Sequence, residues 1–476
     1  MDPYMGELAN IPENKLIDWL FYCVDKKGVK VDAIFWEGHC FYEQELPCYN
    51  ADVYRKFQEK GMDIIGRIID ECHKRGIKAY CHHRISEVEI TSGGNKLKKE
   101  HKDWVIKTWW QEGLWNLASP ELQEFKLSYI KKIMAKYPFD GICIDFLRHL
   151  PCLPVGKQWE DRDCVTEFIS KIKDEMGKLG RQIAVGAKLP EDEKSCHVDG
   201  FDVEKWAKNN LVDFVVGGSR TVNPDIDWYK KITDGTKTLV YTCWDAGHVA
   251  EGHHNQTSDF YRGMLSNWTS KGTDGVVAFN FAPAPFDELL KLFPPEQTMK
   301  CLGPDYADFY NIFSEESYKE NALRFVAERR GGYPFLTGCG GNNVFAPLPA
   351  PINEAPLEIK IDACGDFAGR GAEVRFVITN AKELRDKFKI ALNGKEIKEF
   401  SENYNYRDEQ IFWPEPQPEI YTANCINLNP APILEIKAKI DGAEIKNGKN
   451  TLSIFLRGAS EQNITLERAE IMIGAK

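Results

Sequence analysis

Residues 137 to 151 read Tyr137-Pro138-Phe139-Asp140-Gly141-Ile142-Cys143-Ile144-Asp145-Phe146-Leu147-Arg148-His149-Leu150-Pro151. Asp140 and Gly141 are turn signals, and the apolar run that follows them, carrying Ile142, Ile144 and Phe146, predicts a short strand over 141 to 147. A lone carboxylate, Asp145, interrupts that run. In a strand buried on both faces an ionised Asp is costly unless it is paired or opens into a cavity, so its place near the strand's C-terminal end marks a site; the alternative is a structural Asp capping the next loop.

The same reading extended outward predicts eight strand-and-helix cycles. A helix over 15 to 27 precedes a first strand at 31 to 36, and a helix at 61 to 75 precedes a second strand at 77 to 81. A third strand is expected at 114 to 117, followed by a helix that Ser119 caps and Pro120 begins. The remaining strands are placed at 141 to 147, 182 to 187, 212 to 217, 238 to 244 and 275 to 281, with helices between them. Eight short apolar strands alternating with helices match a (β/α)8 TIM barrel, an α/β fold. An open doubly wound sheet is the competitor, but no G-x-G-x-x-G follows the first strand.

In such a barrel the strand exits converge on one face, where barrel enzymes hold their sites. The exits carry Trp36, Glu37 and His39; His82, His83 and Arg84; Trp115 and Asn116; Asp145, Arg148 and His149; Lys188 and Glu191; Ser219 and Arg220; Trp244, Asp245 and His248; and Asn280. Indole faces stack on sugar C–H surfaces while Asn, His, Lys and Arg bond hydroxyls, so the set suits a carbohydrate. Glycoside hydrolysis needs one protonated carboxyl to expel the leaving group and one ionised carboxylate to attack or to activate water. Asp145 is the first candidate, kept ionised by Arg148 or His149. Asp245, Glu37 and then Glu191 are the candidates for its partner.

Composition narrows the class. The net charge of -11 and pI near 5.6 of these 476 residues argue against nucleic-acid or anionic-membrane partners, and no basic stripe occurs. No stretch approaches 18 uninterrupted apolar residues and the first residues lack a signal-peptide pattern. The 14 cysteines are scattered without a C-x-x-C pair, which fits reduced buried thiols. The expectation is a cytoplasmic protein as the sequence is written, or a periplasmic or secreted one if a signal peptide has been removed. No cofactor is called for. Histidines 39, 82, 83, 149, 248, 253 and 254 leave a metal-dependent barrel hydrolase as an alternative, but no H-x-H ends the first strand and no H-E-x-x-H lies on a helix, so no metal is assigned.

The run from Trp115 to Pro151, in particular Trp115 to Phe125 and Lys136 to Pro151, resembles barrel glycosidases of the glycoside hydrolase-like family ten and its relatives. That family carries an N-P-x-x-P-E-V-R-type segment, a helix, and D-G-I-x-x-D-[DY]-x-R-x-P at the fourth strand. Asp140, Gly141, Ile142, Asp145, Arg148 and, one residue displaced, Pro151 match it. The resemblance covers about forty residues closely and implies Asp145 as a catalytic carboxylate acting on a poly- or oligosaccharide. Members with a double aspartate have an acid where this chain has Phe146. The α-amylase clan, a more distant likeness through Asp145 and His149, has an Arg where this chain has Cys143.

Beyond residue 300 the pattern changes. Pro347, Pro349, Pro351 and Pro356 read as a semi-rigid linker. After it, β runs recur, and Asn393-Gly394 and Asn447-Gly448 carry hairpin-turn chemistry. The expected organisation is a catalytic barrel over 1 to 300, a connecting segment over 301 to 356 and an all-β sandwich over 357 to 476, in which Trp413 and Tyr421 are candidate sugar binders. The expected function is a two-carboxylate glycoside hydrolase; the alternative is a non-catalytic carbohydrate-binding protein on the same scaffold. Oligomeric state is not legible.

Overall fold

The computed structural model describes residues 11–37, 57–86, 96–108, 113–219, 221–245, 257–279, 319–329, 345–381, 384, 386–406, 433–460 and 462–476. The strands of the first half are β1 (Ala33–Glu37), β2 (Lys78–Arg84), β3 (Val105–Ile106), β4 (Leu114–Trp115), β5 (Gly141–Asp145), β6 (Ala184–Leu189), β7 (Phe214–Gly217), β8 (Leu239–Asp245) and β9 (Gly275–Phe279). All but β3 and β4 form one parallel sheet in the order β1-β2-β5-β6-β7-β8-β9, with helices on the crossovers, as the alternating pattern predicts. The helix Pro120–Lys136 begins as expected: Ser119 Oγ accepts from the Leu122 amide at 3.3 Å and Pro120 fills the first turn.

The sheet curls into a barrel. β2 and β9 are five strand spacings apart, which in a flat sheet is roughly 24 Å at about 4.8 Å per spacing. Yet the ring of His82 on β2 lies 5.8 Å from that of Phe279 on β9. Phe35 on β1 likewise meets Phe214 on β7 at 6.1 Å. Inside the curl, Phe35, Tyr80, Cys143, Phe214, Tyr241 and Val277 pack together, while the alternate residues Ile34, Cys81, Ile142, Ile144, Val185, Val215 and Val240 join the outer core beneath the helices. Gly186 makes the crossing feasible, because a Cβ there would sit 2.1 Å from the Phe214 ring.

The third expected strand is a correction. Leu114–Trp115 does not enter the wall; it pairs antiparallel with Val105–Ile106 as a separate hairpin, and β2 pairs directly with β5. Two residues are too short to span a barrel wall. Gly113 turns with φ +72 so close to its partner strand that a Cβ would meet Val105 at 2.4 Å. The described wall is therefore seven-stranded, and Asp145 ends its third strand.

The second half supplies antiparallel sheets. One joins β10 (Leu323–Val326), β19 (Thr465–Ile473), β13 (Gly371–Thr379), β17 (Ile433–Asp441) and β16 (Ser401–Tyr406) in that order, with β11 (Ala350–Pro351) also on β19; the other runs β12 (Leu357–Ala363), β18 (Gly448–Leu456), β14 (Phe388–Leu392) and β15 (Lys395–Ile397). Phe376, Ile436, Ala469 and Ile471 of the first sheet and Ile359, Ile390, Leu452 and Ile454 of the second share one core, the layering of a sandwich. Asn393 and Gly394 turn the β14–β15 hairpin with φ 53 and 83, as a type I′ turn requires.

The sandwich sits directly on the barrel. Helix Ser258–Ser270 packs against β10 so closely that Gly263 lies over the Arg324 carbonyl. Ser266 Oγ donates to the Cys364 carbonyl at 2.6 Å, and Asn267 both donates to the Asp362 carbonyl at 2.7 Å and accepts from the Cys364 amide at 2.8 Å. No described helix is long and apolar enough to cross a membrane.

Candidate active site

Strand alternation decides which exits share the barrel mouth. On β5, Cys143 and Asp145 take the inward register, and on β6 Lys188 does the same, two residues beyond Gly186. Asp145 and Lys188 are register partners on adjacent strands. On β2 the inward set is Tyr80, His82 and Arg84, with Arg84 opposite Asp145.

The result is a buried charge cluster around one carboxylate. Asp145 is 1 % exposed, and His82 and Lys188 4 % each. Asp145 Oδ1 accepts from the backbone amides of Leu147 at 2.9 Å and Arg148 at 3.0 Å. His82 Nε2 lies 3.3 Å and Lys188 Nζ 3.7 Å from Oδ2. Lys188 Nζ is also 3.6 Å from the centroid of Phe279, whose ring face favours a cation. Burial alone would raise the Asp145 pKa, but Lys188, His82 and Arg84 outweigh it and hold the carboxyl well below the usual carboxylate range. It is ionised at neutral pH. His149 follows in the left-handed region at φ 60, a backbone turn that carries the chain sharply away from the strand end.

Glu191, in the loop after β6, is the opposite case. It is buried, and burial pushes its carboxyl up to about 8, helped by Asp192, Glu328 and Asp199 nearby. This side chain therefore carries a proton at neutral pH, as a general acid must. Its surroundings differ from those of Asp145: its carbonyl accepts from the Asp225 amide at 2.8 Å, and it lies beside Gly218.

Glu37 and Asp245 end β1 and β8 in the registers of Phe35 and Cys243, and their side chains lie outside the described residues. His39 and Asn280 lie outside them altogether, as do Arg220, His248, His253, His254, Trp413 and Tyr421. Of the other expected contacts, Arg148 reaches Asp145 through its amide, and Arg84 acts on it by charge.

Several expected sugar contacts face elsewhere. Trp36 takes the outward register and packs into the outer core beside the Cys72 thiol. Trp244 is also outward, against helix Ser258–Ser270, with its indole N–H donating to the Tyr261 hydroxyl at 3.2 Å. His83 shares the outward register of Ala79 and Cys81. Trp115 is buried in a side cluster with Trp104 and Leu122, its ring flanked by Lys98 and Lys126 at 5.3 and 5.6 Å. Asn116 Oδ1 caps its own turn by accepting from the Ala118 amide at 3.0 Å. Nearness to a strand end does not bring a residue to the mouth, because alternate residues face the helices. The same rule would have separated them in advance.

Among the described residues no three His, Cys, Asp or Glu side chains are placed to share a metal ion. The described cysteines are free thiols, most of them buried.

Residues 29–162 match the family described as Glycosyl hydrolase-like 10. The match covers 134 of the 476 residues. The match contains the stretch from Trp115 to Pro151 in which the resemblance is read, and with it His82, Arg84 and Asp145. No curated protein matches the chain. Among solved structures it is similar to a Paenibacillus sp. cycloisomaltooligosaccharide glucanotransferase, with 12% identity over 96% of this chain and 56% of that one and a TM-score of 0.36. It is similar also to a beta-galactosidase from the psychrophilic Marinomonas ef1, with 11% identity, 55% and 51% coverage and a TM-score of 0.38. The glycoside hydrolase domain of PelA from Pseudomonas aeruginosa gives 11% identity, 46% and 85% coverage and a TM-score of 0.34. The chain thus spans little more than half the length of the first two.

Proposed function

We propose that the protein is a glycoside hydrolase acting on a poly- or oligosaccharide, with Asp145 as the ionised carboxylate of a two-carboxylate mechanism. The observation that carries this reading is the Asp145 cradle: a buried carboxylate at the C-terminal end of a barrel strand, held charged by Lys188, His82 and two backbone amides. A carboxylate so held stays ionised in acid conditions, which suits a group that attacks the anomeric carbon or takes a proton from water while its partner gives a proton to the departing oxygen. The partner acid is sought among Asp245 and Glu37, which end strands in the inward register, and Glu191, whose burial keeps it protonated. Lys188 serves the charge state of Asp145 in this reading, where the sequence alone suggested a sugar contact.

The test is a panel of polysaccharides and activated aryl glycosides assayed for released sugar with the native chain and single variants. Asp145→Asn abolishes turnover on every substrate while the far-UV circular dichroism stays native. Loss of the acid lowers turnover of natural glycans far more than that of aryl glycosides with good leaving groups, which need no proton, and so identifies it among Asp245→Asn, Glu37→Gln and Glu191→Gln. Native-level turnover by Asp145→Asn removes the residue from the mechanism. Saccharide binding without turnover by the native chain refutes the hydrolase reading in favour of a binding protein.

A further inference from the structure

The carboxylate of Glu328 lies in the second half of the chain, two residues past the end of β10, yet its hydrogen bonds go to the barrel. Its Oε2 accepts from Thr221 Oγ1 at 2.7 Å, from the Val222 amide at 2.9 Å and from the Asn223 amide at 3.1 Å. Those three residues belong to the loop that leaves β7, one of the loops on the C-terminal face where barrel enzymes build their sites. Glu328 is itself fixed from the sandwich side. The Ala327 amide donates to the Ala469 carbonyl at 2.9 Å, and Arg329 pairs with Glu467 at 2.9 Å, both ion-pair partners being buried.

The loop has further ties on both sides. Asn223 Nδ2 donates to the Val326 carbonyl at 3.3 Å and Trp268 Nε1 donates to the Val222 carbonyl at 2.9 Å. At its two ends, the Gly218 amide donates to the Leu189 carbonyl at 2.9 Å and the Asp225 amide to the Glu191 carbonyl at 2.8 Å, which fasten it to the exit of β6, the strand that carries Lys188. The buried Ser219, at the exit of β7, falls between these two ties.

We propose that Glu328 is a positioning residue for the barrel mouth, so that the sandwich is an integral part of the substrate site and not a separable binding module. One carboxylate from the second domain collects three donors of a mouth loop whose ends are pinned to the β6 exit. When that acceptor is lost, the amides of Val222 and Asn223 are left without their anion and the loop ceases to hold a single conformation.

The saccharide arm of the test rests on the glycosidase reading; the exchange arm does not. In the full chain, Glu328→Ala is expected to raise hydrogen exchange of the buried Val222 amide by about tenfold or more, the consequence of removing a charged acceptor from a buried donor, and that of the half-buried Asn223 amide by less, because Thr221 Oγ1 also accepts from it at 3.2 Å. Exchange of the β5 amides should stay native. On any saccharide that the native chain turns over, KM rises with kcat held within about threefold, as expected for a group that arranges binding and not chemistry. Glu328→Gln, which keeps an acceptor oxygen without the charge, is expected to fall between native and Ala in both readouts, and it serves if the Ala variant fails to fold. Native exchange at 222 and 223 in a folded Glu328 variant overturns the proposal. So does a fall in kcat with unchanged KM. If no saccharide is turned over, the glycosidase reading fails and the exchange result alone decides this one.

Discussion

Glu191→Gln isolates a proton that the fold stores. The carboxyl of Glu191 moves from the ordinary 4.5 to about 8 on folding, chiefly through burial. Between those two pH values the unfolded chain has released the proton and the folded chain still holds it. Stability is then undiminished below about pH 4.5, falls as pH rises through the interval, and levels off above about pH 8, because the folded state binds more protons than the unfolded one. At about 1.4 kcal/mol per pH unit the full effect is about 5 kcal/mol, of which about 2 kcal/mol falls between about pH 6 and pH 8. Glutamine keeps the shape and cannot ionise. Urea unfolding at 25 °C, run on both proteins at a series of pH values, should give a wild-type stability that drops by about 2 kcal/mol relative to the variant over that interval, with equal m-values. The comparison cancels the titrating groups that do not interact with Glu191. Parallel stability curves would show that Glu191 is ionised in the folded protein at neutral pH, and would remove it from the candidate acids as well.

The remaining predictions follow from single contacts. Lys188→Met leaves Asp145 buried without its principal cation and is expected to cost about 3–5 kcal/mol in unfolding measurements, with Lys188→Arg recovering part of it. Asp145→Asn removes the other half of the same pair, so its urea midpoint should fall even though it folds at 25 °C, and an unchanged midpoint would mean that Lys188 is satisfied elsewhere. Gly263→Ala puts a Cβ 2.1 Å from the Arg324 carbonyl across the barrel–sandwich junction, and is expected to destabilise by about 1–3 kcal/mol although alanine is the better helix former. A gain in stability there would mean that the helix and β10 part easily enough to admit a methyl group.

The fold was legible because its signals are local. The apolar runs around Ile142, Val185 and Val215 and the caps at Ser119 and Pro120 announce strands and helices without reference to the rest of the chain. Asp145 stood out for the same reason, as one charge in an apolar strand. The site's other members depend on facing, a relation that an exit list discards: Trp36 and Trp244 sit one residue from inward positions and face the helices. Lys188 is legible as a strand-exit residue, but its closeness to Asp145 is not, since that follows from the β5–β6 register and not from its own neighbours in sequence. Leu114–Trp115 mimicked a wall strand because nothing in so short an apolar run tells a hairpin from a barrel strand. Glu191 stands last among the candidate acids in sequence because neither its burial nor the charge of a residue as distant as Glu328 acting on it is carried by a local pattern.

The aromatic packing inside the curl sets a rule of traffic. Phe35, Tyr80, Phe214 and Tyr241 fill the bore, with Tyr80 and Phe214 stacked at 5.6 Å. His82, Asp145 and Lys188 stand above that plug, toward the C-terminal ends of their strands. The barrel is thus a stoppered cup and not a tube. Among the described residues these rings pack the bore, so on the glycosidase reading proposed above a long saccharide would lie across the C-terminal face and not thread through the barrel.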